Sequence, residues 1–445
     1  MLPSVGAMKL KATKRKKQIC RVARWLLTAA AILLLSVGLT LWRHNGSSYL
    51  TGFWDNGSQT LVFGRMLQMQ QNQHSPGGFM GVYTQDWSDQ QNRYWYRDNT
   101  PVDPAQFQAY THQSGLQGWG LGILNKVLSV FEDSGEARET MLYTANSILF
   151  YAATLCICLA VGYGIGWVPA LAWLTAAVFA PWPQRGMKDL YWCLWTWWLP
   201  ALAGLLLCAV TRARGKTPRW CCFLVFAACL VRCMCGFEFI SVFLILCEIP
   251  LVFCWAEALC ARRPARPWVG RMTAAGLCAL GGVAAALGVW FLQGMAYYGS
   301  AEKSWANLSG AVTSRVSLTD GAVSDVTVGQ VLRRYLLEIN EPLVQIGPVT
   351  VTLLPLAVAV LAGFVLCALA LRGRGRAASR ELFPLFCVWV LSFAAPLSWM
   401  VLSKAHSYVH THLVPMLWHF AFVPVSGMVL AALICCGAKA LLHKR

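Results

Sequence analysis

The sequence predicts an all-α polytopic membrane protein of about ten transmembrane helices, with two outer polar loops that carry short interfacial helices. Of the 445 residues, 57% are hydrophobic and 13% are charged, whereas soluble proteins carry about 25% charged residues. Runs of 18 or more nearly uncharged residues recur along the chain. Each run is long enough to cross a bilayer as a helix and too long for a strand of a membrane barrel.

The net charge of +18 is interpreted as a topology signal, and no nucleic-acid partner is expected. Lys and Arg cluster in short connections that alternate along the chain, as the positive-inside rule requires. The clusters lie at residues 9–24, 211–219, 261–271, 372–380 and 439–445. With an even number of helices, both termini are cytoplasmic. We expect an integral multi-pass protein of a bacterial plasma membrane, with membrane lipids as partners.

These patterns divide the chain into seven segments. A basic cytoplasmic arm, 1–24, precedes the first transmembrane helix, 25–42, and a large outer loop, 43–140. The remaining segments are helices two to seven in 141–294, a second outer loop in 295–349, helices eight to ten in 350–437, and a cytoplasmic tail, 438–445. The 18 cysteines are all outside the two polar loops, so the loops must be held together without disulfides.

Apolar spacing locates the elements inside these segments. Helix-like spacing over 57–73 and 113–130 predicts short helices lying along the membrane face. The apolar stretch 144–182 is too long for one span, and the Gly-rich run 162–169 divides it into helices two and three. Helix four, about 190–210, begins with tryptophans typical of an interfacial belt. Residues 327–340 predict an amphipathic helix. The remaining helices are predicted at about 220–234, 239–260, 272–294, 350–371, 382–402 and 413–437.

Polar residues suited to chemistry gather at the predicted outer ends of the helices. Asp55 follows helix one. Arg185, Lys188 and Asp189 lie between helices three and four, and Glu238 lies between helices five and six. Lys404, His406 and His410 lie between helices nine and ten. Cations near a carboxylate at the membrane surface can hold a lipid-linked phosphate while the carboxylate takes a proton from an attacking hydroxyl.

This layout resembles the GT-C superfamily of integral-membrane glycosyltransferases, which use polyprenyl-phosphate sugars on the non-cytoplasmic face. The family carries an Asp, often in an acidic pair, early in the first outer loop as catalytic base. Asp55 matches by position, whereas Asn56 stands where the second acid is usual. The resemblance implies a polyprenyl-phosphate sugar donor and Asp55 as the catalytic base. It also implies donor-phosphate contacts at Arg185, Lys188, Lys404 and Arg333, and a substrate pocket formed by Glu238, His406, His410 and Asp189.

Each candidate residue also has a purely structural interpretation. Asp55 could cap a helix or stabilise a turn, and Arg185 and Lys188 could extend to lipid headgroups. Glu238 at a helix end and the histidines in their loop could simply reach water. His406 and His410 share a helical face but lack a third ligand there, so no metal site is assigned and a divalent ion is not expected as a cofactor.

Two other functions stay open at this point. One is a transporter or a flippase for lipid-linked sugars, in which the polar loops act as lids. The other is a non-catalytic assembly partner in the cell envelope. The sequence has no Walker A, HExxH or GxSxG motif, which argues against an ABC transporter, a zinc protease and a lipase-like hydrolase. Acidic residues inside the helices are few, mainly Glu248 and Glu257, which disfavours proton-coupled transport.

Overall fold

The computed structural model describes most of the chain, in nine stretches. These are residues 23–24, 26–42, 55–84, 90–181, 186–316, 326–346, 348–372, 376–411 and 413–442. Several predictions therefore lie outside the described residues. They concern most of the basic arm (1–22), the beginning of the large outer loop (43–54), Arg185, His412 and the last three residues of the tail.

The described chain is almost entirely helical. Its first helices are α1 Leu26–Trp42, α2 Asn56–Gln70, α3 Gln91–Asp98, α4 Leu116–Leu128, α5 Gly135–Gly164, α6 Trp167–Val178, α7 Leu199–Arg214, α8 Arg219–Cys235 and α9 Ile240–Cys260. The others are α10 Arg266–Tyr298, α11 Ala301–Val316, α12 Val328–Arg333, α13 Leu353–Ala370, α14 Arg376–Leu402, α15 Lys404–Val409, α16 Met416–Phe420 and α17 Phe422–Leu442. Two small antiparallel ribbons join β1 Gly81–Val82 to β2 Gln108–Ala109 and β3 Val344–Ile346 to β4 Val349–Val351.

Seven helices of the described chain are long and apolar enough to cross a membrane. They are Gly135–Gly164, Leu194–Arg214, Ile240–Cys260, Arg266–Tyr298, Leu353–Ala370, Arg380–Leu402 and Phe422–Leu442. The other three predicted spans are also helical but shorter: α1 and α6 have no more than 17 residues, and α8 has 17. The fold class is thus confirmed as an all-α polytopic membrane protein.

Helix α9 lies at the centre of the helical bundle. It packs against α14, α7 and α10, while α17 packs against α6 and α13. The contact between α7 and α9 is close because a Cβ at Gly204 would collide with the carbonyl group of Cys247. The bundle has two chemically different ends. The insert end is the end that carries the segments 55–134, 186–193, 236–239 and 403–415. The basic end is the end that carries the turns 215–218 and 261–265.

The first polar insert is a packed unit rather than a loop. Its helix α2 forms where the spacing over 57–73 predicts one, but residues 59–69 are all buried, so α2 does not lie along the membrane face. It packs against α3, α4 and β1. The extended helix α10 reaches the insert, where Trp290 Nε1 donates to the carbonyl of Thr111 at 2.7 Å and Gln293 Nε2 to that of Ser114 at 3.2 Å.

The second polar insert lies more at the surface. The amphipathic helix predicted over 327–340 is present as α12, continued by a π-helical turn, Arg334–Glu338. Val331 and Tyr335 are buried while Leu337 is exposed, which is the expected one-sided pattern. Thr327 begins α12 with a capping box to Gln330.

Helix four is where the structure differs most from the sequence-based boundaries. The chain from 186 to 193 is irregular, a 3₁₀ turn follows at Leu194–Trp198, and the α-helix begins only at Leu199. The Asp189 carboxylate accepts hydrogen bonds from the backbone N–H groups of Tyr191 and Trp192 at 2.9 and 3.1 Å, which competes with helix formation. Three of the four tryptophans in 192–198 are consequently buried in the protein and Trp195 is half-buried, so they do not form an interfacial belt.

Candidate functional site

Asp55 caps α2 and also makes a long-range contact. Its Oδ1 accepts from the backbone N–H of Ser58 at 3.0 Å, as expected of an N-cap residue. Its Oδ2 accepts from the indole Nε1 of Trp192 at 3.0 Å. The interpretation of Asp55 as a helix cap is therefore confirmed. The second contact fixes the half-buried carboxylate against the segment that carries Asp189.

Asp189 lies beside Asp55 although 133 positions separate them in the sequence. The side chain of Asp189 is fully buried. Burial, and then the charge of Asp55, raise the pKa of Asp189 well above its usual range, although backbone N–H donors partly oppose the shift. The surroundings of Asp189 thus favour its protonated form.

Glu238 lies in the turn between α8 and α9 and forms a buried ion pair. Its Oε1 accepts from Arg315 Nη2 at 2.7 Å, and the two side chains are 8% and 16% exposed. Burial alone would raise the pKa of Glu238, but the Arg315 guanidinium outweighs it and lowers that pKa to about 2. Arg315 is held at the end of α11, where Ser403 Oγ donates to its carbonyl oxygen at 3.0 Å.

Two tyrosines link the Asp55–Asp189 acid pair to the Arg315–Glu238 ion pair through a hydrogen bond and electrostatic interactions. Tyr110 is hydrogen-bonded to Tyr191, and both Glu238 and Asp55 act on its titration. Burial, followed by the charge of Glu238, raises the pKa of Tyr110 to about 12. Next to it lies His112, whose ring centroid is 5.2 Å from that of Tyr110. Burial, and then Arg315, lower the pKa of His112.

Two histidines, one in α15 and one at its C-terminal cap, complete the cluster. His406 and His410 are half-buried, and their ring centroids are 4.4 Å apart, as the predicted shared face requires. His406 acts electrostatically on Glu238. Its ring lies 5.9 Å from that of Phe239.

Phe239 is at the centre of an aromatic wall behind the cluster. Its ring stacks on Trp192 at 5.8 Å and also contacts Trp197 and Trp399, each at 5.3 Å. Its φ of +64° lies in the left-handed region, which is an unusual conformation for a bulky residue. The wall thus links the indole that holds Asp55 to the imidazole of His406.

The four predicted phosphate contacts have different environments. Lys188 is fully buried, so its side chain does not extend to lipid headgroups, and burial followed by the charge of Arg93 lowers its pKa to about 8. Arg333 is 74% exposed and pairs with Glu338 at 3.0 Å. Lys404 is half-buried at the first position of α15. Arg185 lies outside the described residues.

Several site residues were not found from the sequence, foremost Arg315 and Gln113. Gln113 is 1% exposed, and neither its amide nitrogen nor its amide oxygen has a hydrogen-bond partner within the described chain. A Cβ at Gly236 would lie 2.7 Å from Glu238 Oε2 and 3.0 Å from Gln113 Oε1, which places the two side chains together. No local sequence signal distinguishes Gln113 from the many other glutamines of the insert.

No group of three or more His, Cys, Asp or Glu side chains is arranged to hold a metal ion among the residues that the structure describes. The cluster is instead built from carboxyl, guanidinium, imidazole and phenol groups, which suit hydrogen bonding and proton transfer.

Comparisons with known proteins give one distant structural likeness. No family model matches the chain, and no curated protein matches it. The crystal structure of the Archaeoglobus fulgidus oligosaccharyltransferase in the apo form is similar with a TM-score of 0.41 and 11% identity. The match covers 92% of this chain and 50% of that one, so this chain spans about half the length of the archaeal enzyme. No residue role follows from a likeness of this degree.

Proposed function

We propose that the chain is a membrane glycosyltransferase of the GT-C kind. It would move a sugar from a polyprenyl-phosphate donor to a glycan, lipid or protein acceptor at the outer face of the membrane. The observation that supports this most directly is the meeting of carboxylates and cations from distant segments at the insert end. The members are Asp55, Asp189, Glu238, Arg315 and His406.

Asp55 is the proposed general base. Burial and the neighbouring Asp55 raise the pKa of Asp189 and favour its protonated form, whereas Asp55 is partly exposed and accessible to an acceptor. The hydrogen bonds from Ser58 and Trp192 hold the carboxylate in a fixed direction. A fixed base within hydrogen-bond reach of a hydroxyl is the geometric requirement for proton abstraction.

In the proposed reaction, the acceptor hydroxyl oxygen bonds to the anomeric carbon of the sugar. The bond from that carbon to the phosphate oxygen breaks, the hydroxyl proton passes to Asp55, and polyprenyl phosphate leaves with the bonding electrons. Cations must stabilise the charge that develops on the phosphate. Lys404 in α15 and His410 at its C-terminal cap, both half-buried, suit this role better than the fully buried Lys188 or the exposed Arg333. Arg185, which lies outside the described residues, keeps the role proposed for it from the sequence.

Gln113 and Glu238 are the proposed contacts to the sugar. A buried amide without protein partners can donate to one hydroxyl and accept from another. The pairing with Arg315 keeps Glu238 ionised as an acceptor, because it lowers the pKa of Glu238 to about 2. Such paired polar contacts to hydroxyl groups are the usual source of substrate discrimination.

The distribution of polar groups also favours an enzyme over a transporter. A transporter needs polar side chains along a path from both sides of the membrane. The cavity near the basic end that is lined by α5, α7 and α9 has mainly apolar walls, whereas the charged cluster lies at the insert end.

The deciding experiment replaces the base while keeping the helix cap. Serine caps helices about as well as aspartate, so Asp55→Ser removes the carboxylate and retains the cap. Asp103→Ser is the matched control, because Asp103 is an exposed cap in the same insert that accepts from Ala105 N at 2.9 Å. Both variants are expressed in a deletion strain, whose lipid-linked and surface glycans are then compared with wild type.

We expect Asp55→Ser to lower the rate of glycan formation by about 10²–10⁴-fold, as for loss of a general base, and Asp103→Ser to restore the glycan fully. Membrane levels of each variant are measured alongside. Full restoration by Asp55→Ser at a normal level would show that Asp55 is only a cap, and the transferase proposal would fail.

A further inference from the structure

A cavity near the basic end lies away from the charged cluster. It has a volume of about 580 Å³, within the range of about 300–1,000 Å³ typical of small-molecule sites. Helices α5, α6, α7, α9, α14 and α17 form its walls. Its inner end is closed by the buried rings of Trp173, Trp198 and Phe420.

The mouth of the cavity carries aromatic residues of the kind found at the membrane–water interface. Tyr163 lines the mouth and is 83% exposed, and Trp167, which packs edge-on against it at 5.4 Å, is 51% exposed. Amphipathic aromatic residues concentrate at the depth of lipid headgroups. The cavity therefore runs from headgroup depth into the apolar part of the bundle, as an acyl chain would.

Cations surround the mouth. Arg212 lines the cavity at the end of α7 and pairs with Glu257, and these side chains are 37% and 45% exposed. Arg271 approaches the same turn, where its Nε donates to Thr217 Oγ1 at 3.1 Å. The neighbouring segments 211–219 and 261–271 add further basic residues. A headgroup emerging from this cavity would meet a strongly positive rim.

We propose that this cavity is a binding site for one anionic phospholipid of the leaflet at the basic end. One acyl chain fills the cavity down to Trp198 and Phe420, and the headgroup phosphate lies at Arg212. An apolar cavity of this size left empty would lose the dispersion contacts of its entire lining. A lipid tail restores those contacts, and a guanidinium binds phosphate through paired hydrogen bonds. The proposal is independent of the transferase assignment.

Native mass spectrometry of the detergent-purified full chain tests the proposal. The protein is titrated with phosphatidylglycerol and, separately, with phosphatidylcholine of the same acyl chains. We expect one phosphatidylglycerol to bind more tightly than any phosphatidylcholine. Arg212→Gln should weaken that binding roughly tenfold, because a charge-assisted hydrogen bond is lost. The matched control is Arg214→Gln, on the same helix but outside the cavity lining, and it should bind as wild type does.

A second variant tests the cavity rather than the charge. Ala209 lines the cavity, and Ala209→Phe places a ring in the path of the acyl chain, so the single tight lipid should be lost. Arg212 is exposed enough that Arg212→Gln should still fold if Ala209→Phe does not. Equal binding of the two lipids, equal weakening by Arg212→Gln and Arg214→Gln, retention of the lipid by a folded Ala209→Phe, or displacement of phosphatidylglycerol by polyprenyl phosphate would each overturn the proposal.

Discussion

The two ends of the bundle each hold an Arg–Glu ion pair, and the pairs differ in burial. At the insert end, Arg315 and Glu238 are 16% and 8% exposed. At the basic end, Arg212 and Glu257 are 37% and 45% exposed. Water screens the second pair, which is worth little and exchanges easily. In the first pair, removal of either partner destabilises the protein, because the other partner is then a buried charge without a counter-charge.

This contrast predicts the largest stability effect at the insert end. Arg315→Gln leaves Glu238 buried without its cation and should lower the free energy of unfolding in detergent by about 3–5 kcal/mol. Chemical denaturation followed by tryptophan fluorescence measures the effect. The double variant Arg315→Gln with Glu238→Gln should recover much of the loss, since no buried charge remains. At the basic end, Arg212→Gln should cost no more than about 1 kcal/mol.

The difference in stability between wild type and Arg315→Gln should depend on pH in a defined direction. The pKa of Glu238 is lowered to about 2, below the unfolded value of about 4.3. Its contribution to stability is therefore complete above pH 4.3 and disappears as the pH falls towards 2. The stability gap between wild type and Arg315→Gln should narrow over that range. A gap that stays constant down to pH 2 would show that the pair does not act through the charge of Glu238.

For the Asp55–Asp189 pair we expect a smaller effect on stability, with the opposite sign. Burial and Asp55 raise the pKa of Asp189, so the folded state is increasingly penalised as the pH rises above the unfolded pKa of about 3.9. Asp189→Asn keeps an oxygen acceptor for Tyr191 N and Trp192 N and removes the titration. It should gain about 1–3 kcal/mol relative to wild type at neutral pH, and this gain should vanish near pH 3. Thermal unfolding at several pH values measures it.

The smallest stability effect is expected at Gln113. Gln113→Leu breaks no hydrogen bond within the described chain and has similar volume, so the free energy of unfolding should change by less than about 1.5 kcal/mol. Under the transferase proposal, the KM for the sugar donor should rise because contacts to its hydroxyls are lost. A large loss of stability with unchanged KM would instead make Gln113 a structural residue.

The helices were predictable from the sequence because their signal is local. Hydropathy and the basic clusters located ten helical segments, and the break between α5 and α6 lies at Ile165 and Gly166, inside the predicted turn. The predicted start of helix four was wrong, because Trp192 and Trp197 suit a membrane interface and a protein core equally well. Their burial depends on Asp189, whose side chain captures the local backbone N–H groups.

The site was predictable only where residues follow a helix end. Asp55, Asp189, Glu238 and His406 all lie at such positions, and the structure brings them together. Arg315 was not selected, because its position depends on how α11 packs against α15, a contact between segments about 90 residues apart in the sequence. Arg333 lies within the predicted amphipathic helix and pairs with Glu338 at the surface.

The left-handed backbone of Phe239 has a consequence for how such a protein can evolve. Glycine at this position would relieve local strain of about 1–3 kcal/mol, but it would also remove a fully buried ring, whose loss costs about 3–5 kcal/mol. The ring touches Trp192, Trp197, Trp399 and His406. Packing therefore outweighs the strain of the turn, and an aromatic residue should be retained here in related chains for the sake of stability alone.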